Sequence, residues 1–320
     1  MHNPYWGNTF FQFFETLFVR LSLFCVSSTP MELAADELQL LVLVLLSVTA
    51  ALIGTFFVLR KMTMLANALS HTILPGVVLA YLAYHYFHSP VGEAFDFSHL
   101  LPSDIYLLVG ALGSSFLTMF LIRFVASGLH IKEDAAIGMI FTLLFALGII
   151  LVTALTKSAH IGAELLMGNV DALSLGDLSL AWGIFVATVG IIVLAWRPLF
   201  LTSFDPLFAK MCGISNEKMN YLVMALGSIA AIGAFRAVGV LLFLAFLVTP
   251  PLIARRLTHS LVAMACISCL VGIIASLVGV ALSRHILSFY GQALSTAGLI
   301  VTILALAFAA ICAISKKKAG

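Results

Sequence analysis

Asn67 and His71 stand four residues apart in the stretch RKMTMLANALSHTILPGVVLAYL. On an α-helix that spacing stacks two side chains on one face. An amide oxygen and an imidazole nitrogen would then converge, and imidazole is a ligand for divalent transition metals. Pro75, four residues beyond His71, carries no N–H, so the His71 carbonyl is left as a free acceptor at the same depth. Ligation of a dication is one reading of this set. The other is that Asn67 and His71 hydrogen-bond across helices as packing glue, and the spacing leaves both open.

A second stretch, LTSFDPLFAKMCGISNEKMNYL, is too polar to cross a bilayer. Asp205-Pro206 has the form of a helix start, with Asp as N-cap and Pro in the first turn, and Gly213 is a suitable stop. The pattern predicts a short amphipathic helix of roughly two turns. Such a helix rests on lipid or docks in the groove of a soluble partner. In a third stretch, GAFRAVGVLLFLAFLVTPPLIARRLT, Pro250 and Pro251 predict a bend near the end of a helix that Arg236 begins, with a gating hinge as the alternative. His85, His88, Glu93, Asp96 and His99 are ligand types without tight metal-ligand spacing, and read as a solvated loop. Cys266 and Cys269 lie in apolar surroundings as packing residues. No GxxxxGK[ST], HExxH or GxSxG pattern is present, so nothing in the chain supports catalysis of its own.

The elements that position these residues are set by composition. Charged residues make up 9% of the 320 and hydrophobic ones 62%, against about 25% and 45–50% in a soluble domain. A hydrocarbon core roughly 30 Å thick needs about 20 helical residues. Apolar runs of that order fall at 38–59, 64–87, 104–124, 135–155, 178–196, 219–235, 237–254, 259–283 and 291–314. They are uninterrupted rather than alternating, which selects helices over a barrel. If 38–59 runs from outside to inside, twelve of the sixteen Lys and Arg lie inside, among them Arg60, Arg123, Lys210 and Arg255. Lys157, Arg236 and Arg284 lie outside, and Arg20 is unassigned. That bias fixes the orientation under the positive-inside rule and places the Asp205–Gly213 helix in the cytoplasm. The first residues, with Glu15 and Arg20 in an aromatic stretch, form an extra helix or an interfacial one in preference to an uncleaved signal-like region, unless Met31 is the start. The basic residues make no face that tracks phosphates, which excludes nucleic acid as a partner.

Taken in order, LRKMTMLANALSHTILPGVVLAYL, SFDPLFAKMCGIS and FRAVGVLLFLAFLVTPPLIARRLT resemble the permease subunits of bacterial ABC importers for manganese, zinc and iron. The resemblance runs from about residue 38 to 314. It implies an all-α polytopic membrane protein, a type II ABC importer-like bundle of about eight to ten transmembrane helices in the bacterial cytoplasmic membrane. Residues 1–37 would be an N-terminal hydrophobic or interfacial segment, 38–314 the permease domain with a coupling helix near 204–214, and 315–320 a basic cytoplasmic tail.

The resemblance further implies two permease subunits, two cytoplasmic ABC ATPases that hydrolyse the ATP, and an extracytoplasmic metal-binding protein. The divalent metal is cargo, and no permanently bound cofactor is expected. The segment from Asp205 through Pro206 and Ala209 to Gly213 matches the family's ATPase-coupling helix. His71 matches the family's pathway His, but Asn67 stands where an Asp is usual, so an anionic ligand is lost. A second, non-identical permease subunit supplying the carboxylate is the expected remedy. The competing readings are an ATP-independent secondary transporter or channel and a membrane-embedded enzyme. The near absence of carboxylates in the predicted spans counts against the former, and the lack of a catalytic motif against the latter.

Overall fold

The computed structural model describes residues 5, 9–26, 34–65, 68, 72, 75, 76, 78, 79, 82, 104–156 and 170–319. Eleven helices lie among them: α1 Phe10–Val26, α2 Ala35–Leu59, α3 Asp104–Leu129, α4 Glu133–Thr156, α5 Leu175–Leu194, α6 Trp196–Phe204, α7 Pro206–Met211, α8 Asn216–Val238, α9 Val240–Leu257, α10 Leu261–Tyr290 and α11 Thr296–Ala319. Eight of these, all but α1, α6 and α7, contain a segment long and apolar enough to cross a membrane. The ninth expected span, 64–87, falls largely outside the described residues.

Boundaries differ from the apolar runs at both ends: α3 and α10 run on to Leu129 and Tyr290, and polar first turns join other helices. α2 begins at Ala35, with the Glu37 carboxylate reaching back to the Ala34 N–H at 3.0 Å, half of a capping box. α8 takes in Asn216, Glu217 and Lys218 and continues to Val238, where Gly239 at φ 81° ends it and opens α9. An acidic residue in a first turn complements the positive end of the helix dipole, so polarity there favours the helix rather than ending it.

The chain divides into two units. The first comprises 1–55, 169–186 and 237–320. Here α9, α10 and α11 pack on one another and α1 lies on α10. Ser268, Gly272, Ala275, Ser276 and Gly279 form a buried stripe of small residues on α10. Gly272 faces Ser47 of α2, and a Cβ at Gly279 would overlap Ile300 of α11. Small residues of this kind let helix backbones approach where no hydrophobic effect drives helices together. The stripe's hydroxyls bond within their own helix, Ser268 to the Met264 carbonyl at 2.6 Å and Ser276 to the Gly272 carbonyl at 2.9 Å.

Helix α9 runs through Pro250 and Pro251. Pro251 cannot donate to the Leu247 carbonyl, and this carbonyl occupies the space beside Gly54 of α2 where any Cβ would stand. The glycine is required by that approach. Charged and polar groups gather at the end of the unit assigned to the outside. Arg284 pairs with Asp36, whose side chain is 0% exposed. Asp171 Oδ1 receives Gln39 Nε2 at 2.9 Å and Thr296 Oγ1 at 2.6 Å. Glu37 accepts from Tyr5 Oη at 2.8 Å and pairs with Arg20.

The second unit comprises 56–168 and 187–236. α3 packs on α4 and meets α8 through the Ser115–Ser228 hydroxyl pair and stacked Phe116 and Tyr221 rings 5.9 Å apart. The Arg123 guanidinium lies 5.7 Å from the Tyr221 ring centroid and pairs with Glu217 at 2.7 Å.

Three outcomes are expected for purified protein in detergent, read from thermal unfolding. Gly54→Ala forces the Leu247 carbonyl aside and lowers stability by roughly 1–3 kcal/mol. Gly183→Ala, in α5 with nothing within 4 Å of the added carbon, leaves it unchanged or slightly raised. Arg284→Gln removes the paired cation from the buried Asp36 carboxylate and lowers stability by about 3–5 kcal/mol, and adding Asp36→Asn recovers part of the loss.

Candidate functional site

The short helix α7 is fixed at both ends by local chemistry. Asp205, at φ −135° and ψ 86°, breaks the helical path, and its carboxylate accepts the Phe208 N–H at 2.9 Å. Pro206 follows at the first helical position, where its missing N–H has no intrahelical partner to lose. At the far end Gly213 adopts φ 78°. Its N–H reaches the Lys210 carbonyl at 3.1 Å and the Ile214 N–H the Ala209 carbonyl at 2.9 Å, the paired bonds of a Schellman stop. Asn216 Nδ2 donates to the Pro206 carbonyl at 3.0 Å and joins α7 to the start of α8.

Ala209 is the buried residue of α7 at 0% exposure, while Leu207 (78%), Phe208 (51%) and Met211 (86%) stand out from it. Thus Asp205, Pro206, Ala209 and Gly213 build the helix and its seat, and the surface it offers is made by the apolar residues between them. Lys210 in the last turn complements the helix dipole.

The sequence reading missed α6 and what holds it. Arg60, just past α2, donates from Nη2 to Thr202 Oγ1 at 2.6 Å and to the Leu199 carbonyl at 3.5 Å, and from Nε to Ser203 Oγ at 3.2 Å. Its Nη1 bonds Asn220 Oδ1 in α8. Among the described residues its partners are all neutral, and burial pulls the guanidinium down to about 10, which leaves it cationic at neutral pH. The chain leaves α2 by a second Schellman turn, with Lys61 at φ 59° and the Met62 N–H on the Phe57 carbonyl at 2.8 Å. In the sequence Arg60 counted only as a cytoplasmic charge. Its partners lie 139 to 160 positions away, and no local pattern links them.

Asn67 and His71 lie outside the described residues, as do His85, His88, Glu93, Asp96 and His99. The described residues around the pair are helical, and Leu65, Ala68, Thr72, Pro75, Gly76 and Val78 among them are buried. Gly76 sits against the Gly110 carbonyl and Ser114 of α3, in space that a Cβ would fill. Among the described residues no three His, Cys, Asp or Glu side chains converge to hold a metal.

Comparison with known proteins extends these observations. The family model described as "ABC 3 transport family" matches residues 37–315. A protein of Chlamydia muridarum named "Probable metal transport system membrane protein" is 38% identical over 302 residues, covering 94% of this chain and 91% of its own length. The manganese transport system membrane protein MntC of Halalkalibacterium halodurans is 35% identical over 237 residues, 74% of each chain. Among solved structures, PsaBC from Streptococcus pneumoniae in complex with Fab superposes with a TM-score of 0.71 at 28% identity, over 86% of this chain and 90% of that one. The chain belongs to the ABC 3 transport family, as a multi-span membrane permease.

Proposed function

We propose that the protein is the permease subunit of an ATP-driven importer that carries a divalent transition metal, manganese, zinc or iron, inward across the cytoplasmic membrane. The observation that carries the ATP-driven part is the exposed apolar face of α7. Leu207, Phe208 and Met211 stand free on a helix that the distribution of Lys and Arg assigns to the cytoplasm. An apolar helix face of this size, rigidly capped at both ends, suits a groove on a soluble partner. The partner proposed is a cytoplasmic ABC ATPase, which hydrolyses the nucleotide while this chain supplies the pathway.

The metal part rests on relatives named for metal and manganese transport and on His71 with Asn67 as pathway ligands. An amide and an imidazole are a thin set for a dication, since hard metals favour carboxylate oxygens. A second, non-identical permease with a carboxylate would complete the set, and an extracytoplasmic binding protein would deliver the cargo.

Two measurements test this. Leu207→Asp and Met211→Asp place charge on exposed positions, so the chain still folds and inserts, while co-purification of the ATPase and manganese uptake both collapse. Full uptake in both variants with the ATPase absent would sink the reading in favour of an ATP-independent carrier. In cells expressing the complete transporter, His71→Ala reduces metal uptake about tenfold or more, the loss of about one ligand bond. Asn67→Asp alters apparent affinity or metal selectivity, and unchanged uptake and selectivity in both variants remove the pair from the pathway.

A further inference from the structure

We propose that Arg60 is the positioning residue that locks α6, and through it α7, to the end of α2, so that force applied at α7 reaches the helix leading to Asn67 and His71. This inference rests on the reading of α7 as the ATPase-docking helix.

The geometry is a closed ring of short links. Arg60 bonds Thr202 and Ser203 in the last turn of α6 and, more weakly at 3.5 Å, the Leu199 carbonyl in its middle. The last turn is where a helix carries its partial negative charge and where a cation is favoured. Asp205 then serves as C-cap of α6 and N-cap of α7, so the hold on Ser203 lies two residues from the N-cap of the docking helix. The same guanidinium bonds Asn220 in α8, and α8 is joined to α7 by Asn216 on the Pro206 carbonyl. Arg60 therefore touches both helices that flank α7.

On its other side Arg60 follows directly on α2, and Asn67 comes seven residues later in the chain. A planar guanidinium with donors in a fixed fork can engage several acceptors at once with little reorganisation, whereas a lysine ammonium is a single point on a flexible stem. Bonds from a charged donor are the stronger kind. Among the described residues all the acceptors are neutral, so these bonds hold the cation by geometry. Thr202 is itself braced, since its hydroxyl also bonds the Pro198 carbonyl at 2.7 Å.

A joint of this kind differs from a plain structural anchor in what its loss does. An anchor's loss lowers the amount of working transporter, and hydrolysis and uptake fall together. A joint's loss lets the ATPase turn over while the stroke fails to arrive, so metal moved per ATP falls.

The test uses the complete transporter reconstituted in proteoliposomes with its binding protein. Manganese uptake and ATP hydrolysis are measured in parallel for Arg60→Ala, Arg60→Lys, Thr202→Val and the Arg60→Ala/Thr202→Val double variant. All are expected to co-purify the ATPase at the wild-type ratio. Arg60→Ala is expected to lose about tenfold in manganese moved per ATP, on the scale of losing charged hydrogen bonds. Arg60→Lys should fall between it and wild type, and Thr202→Val should add little once Arg60 is gone, as expected of partners in one network. An unchanged ratio, or hydrolysis and uptake reduced in equal proportion, overturns the proposal. Where Arg60→Ala does not accumulate, Arg60→Lys and Thr202→Val decide by the same ratio. If the wild-type complex recruits no ATPase, the docking reading has failed and the joint falls with it, an outcome distinct from an intact complex with an unchanged ratio.

Discussion

Inside a bilayer no water is present to accept or donate, so backbone groups that enter hydrocarbon must find their partners within the protein, and hydroxyls are favoured when they do the same. Much of what distinguishes this bundle from a set of greasy rods answers that demand. The carbonyl that Pro251 leaves without a donor is turned into the space beside Gly54 rather than toward lipid. The hydroxyls of Ser268 and Ser276 bond their own helix, and those of Ser115 and Ser228 bond each other. Where such groups are small, helices also come closest, which is why the Gly272 and Gly279 faces of α10 meet α2 and α11 at contact distance. Satisfaction of polar groups and tight packing are thus achieved by the same residues.

The demand relaxes at the two surfaces, and there the charges sort by side. Arg284 is one of the few cations that the charge distribution leaves outside, and its pairing with Asp36 shows how that exception is tolerated. A cation matched by a buried carboxylate makes little net contribution to the field that orients the helices. In its most apolar window 72% of α2 is buried, against 11% in that of α11. The helix that has Asp36 in its first turn and Arg60 just past its end is held by ionic and charge-assisted bonds at both.

Much of the architecture was legible in the sequence because long apolar runs admit few alternatives in lipid. Errors fell at both ends of the helices. A hydropathy reading trims residues such as Asp36, Asn216 and Glu217, although the helix dipole welcomes them in its first turn. The ends of α7 were legible for the opposite reason, since Asp-Pro at the start and Gly at the stop act through bonds three to five residues long. Helix α6 was hidden, as its sequence runs on from α5 with only the turn at Ala195 between them. The Arg60 cluster was illegible in principle from one chain: Thr202, Ser203 and Asn220 are ordinary polar residues until folding brings them to one guanidinium. Of the candidate site, the caps of α7 could be read as local chemistry, whereas the apolar patch that α7 exposes depends on which of its faces the fold buries, and only Ala209 at 0% exposure reveals that.

Because Asp205 ends one helix and begins the next, the rotational phase of α7 is set by a single non-helical residue and by the length of the helix before it. Each residue added to or removed from α6 would turn everything beyond it by about 100° about the helix axis. One such step would swing Leu207 and Met211 away from whatever they face and bring Lys210 or Ala209 round in their place. The connection between Ala195 and Asp205 is therefore a gauge as well as a tether: changes in its length are tolerable only in whole turns, and its residue count is as much a part of the apolar surface that α7 exposes as the side chains on it.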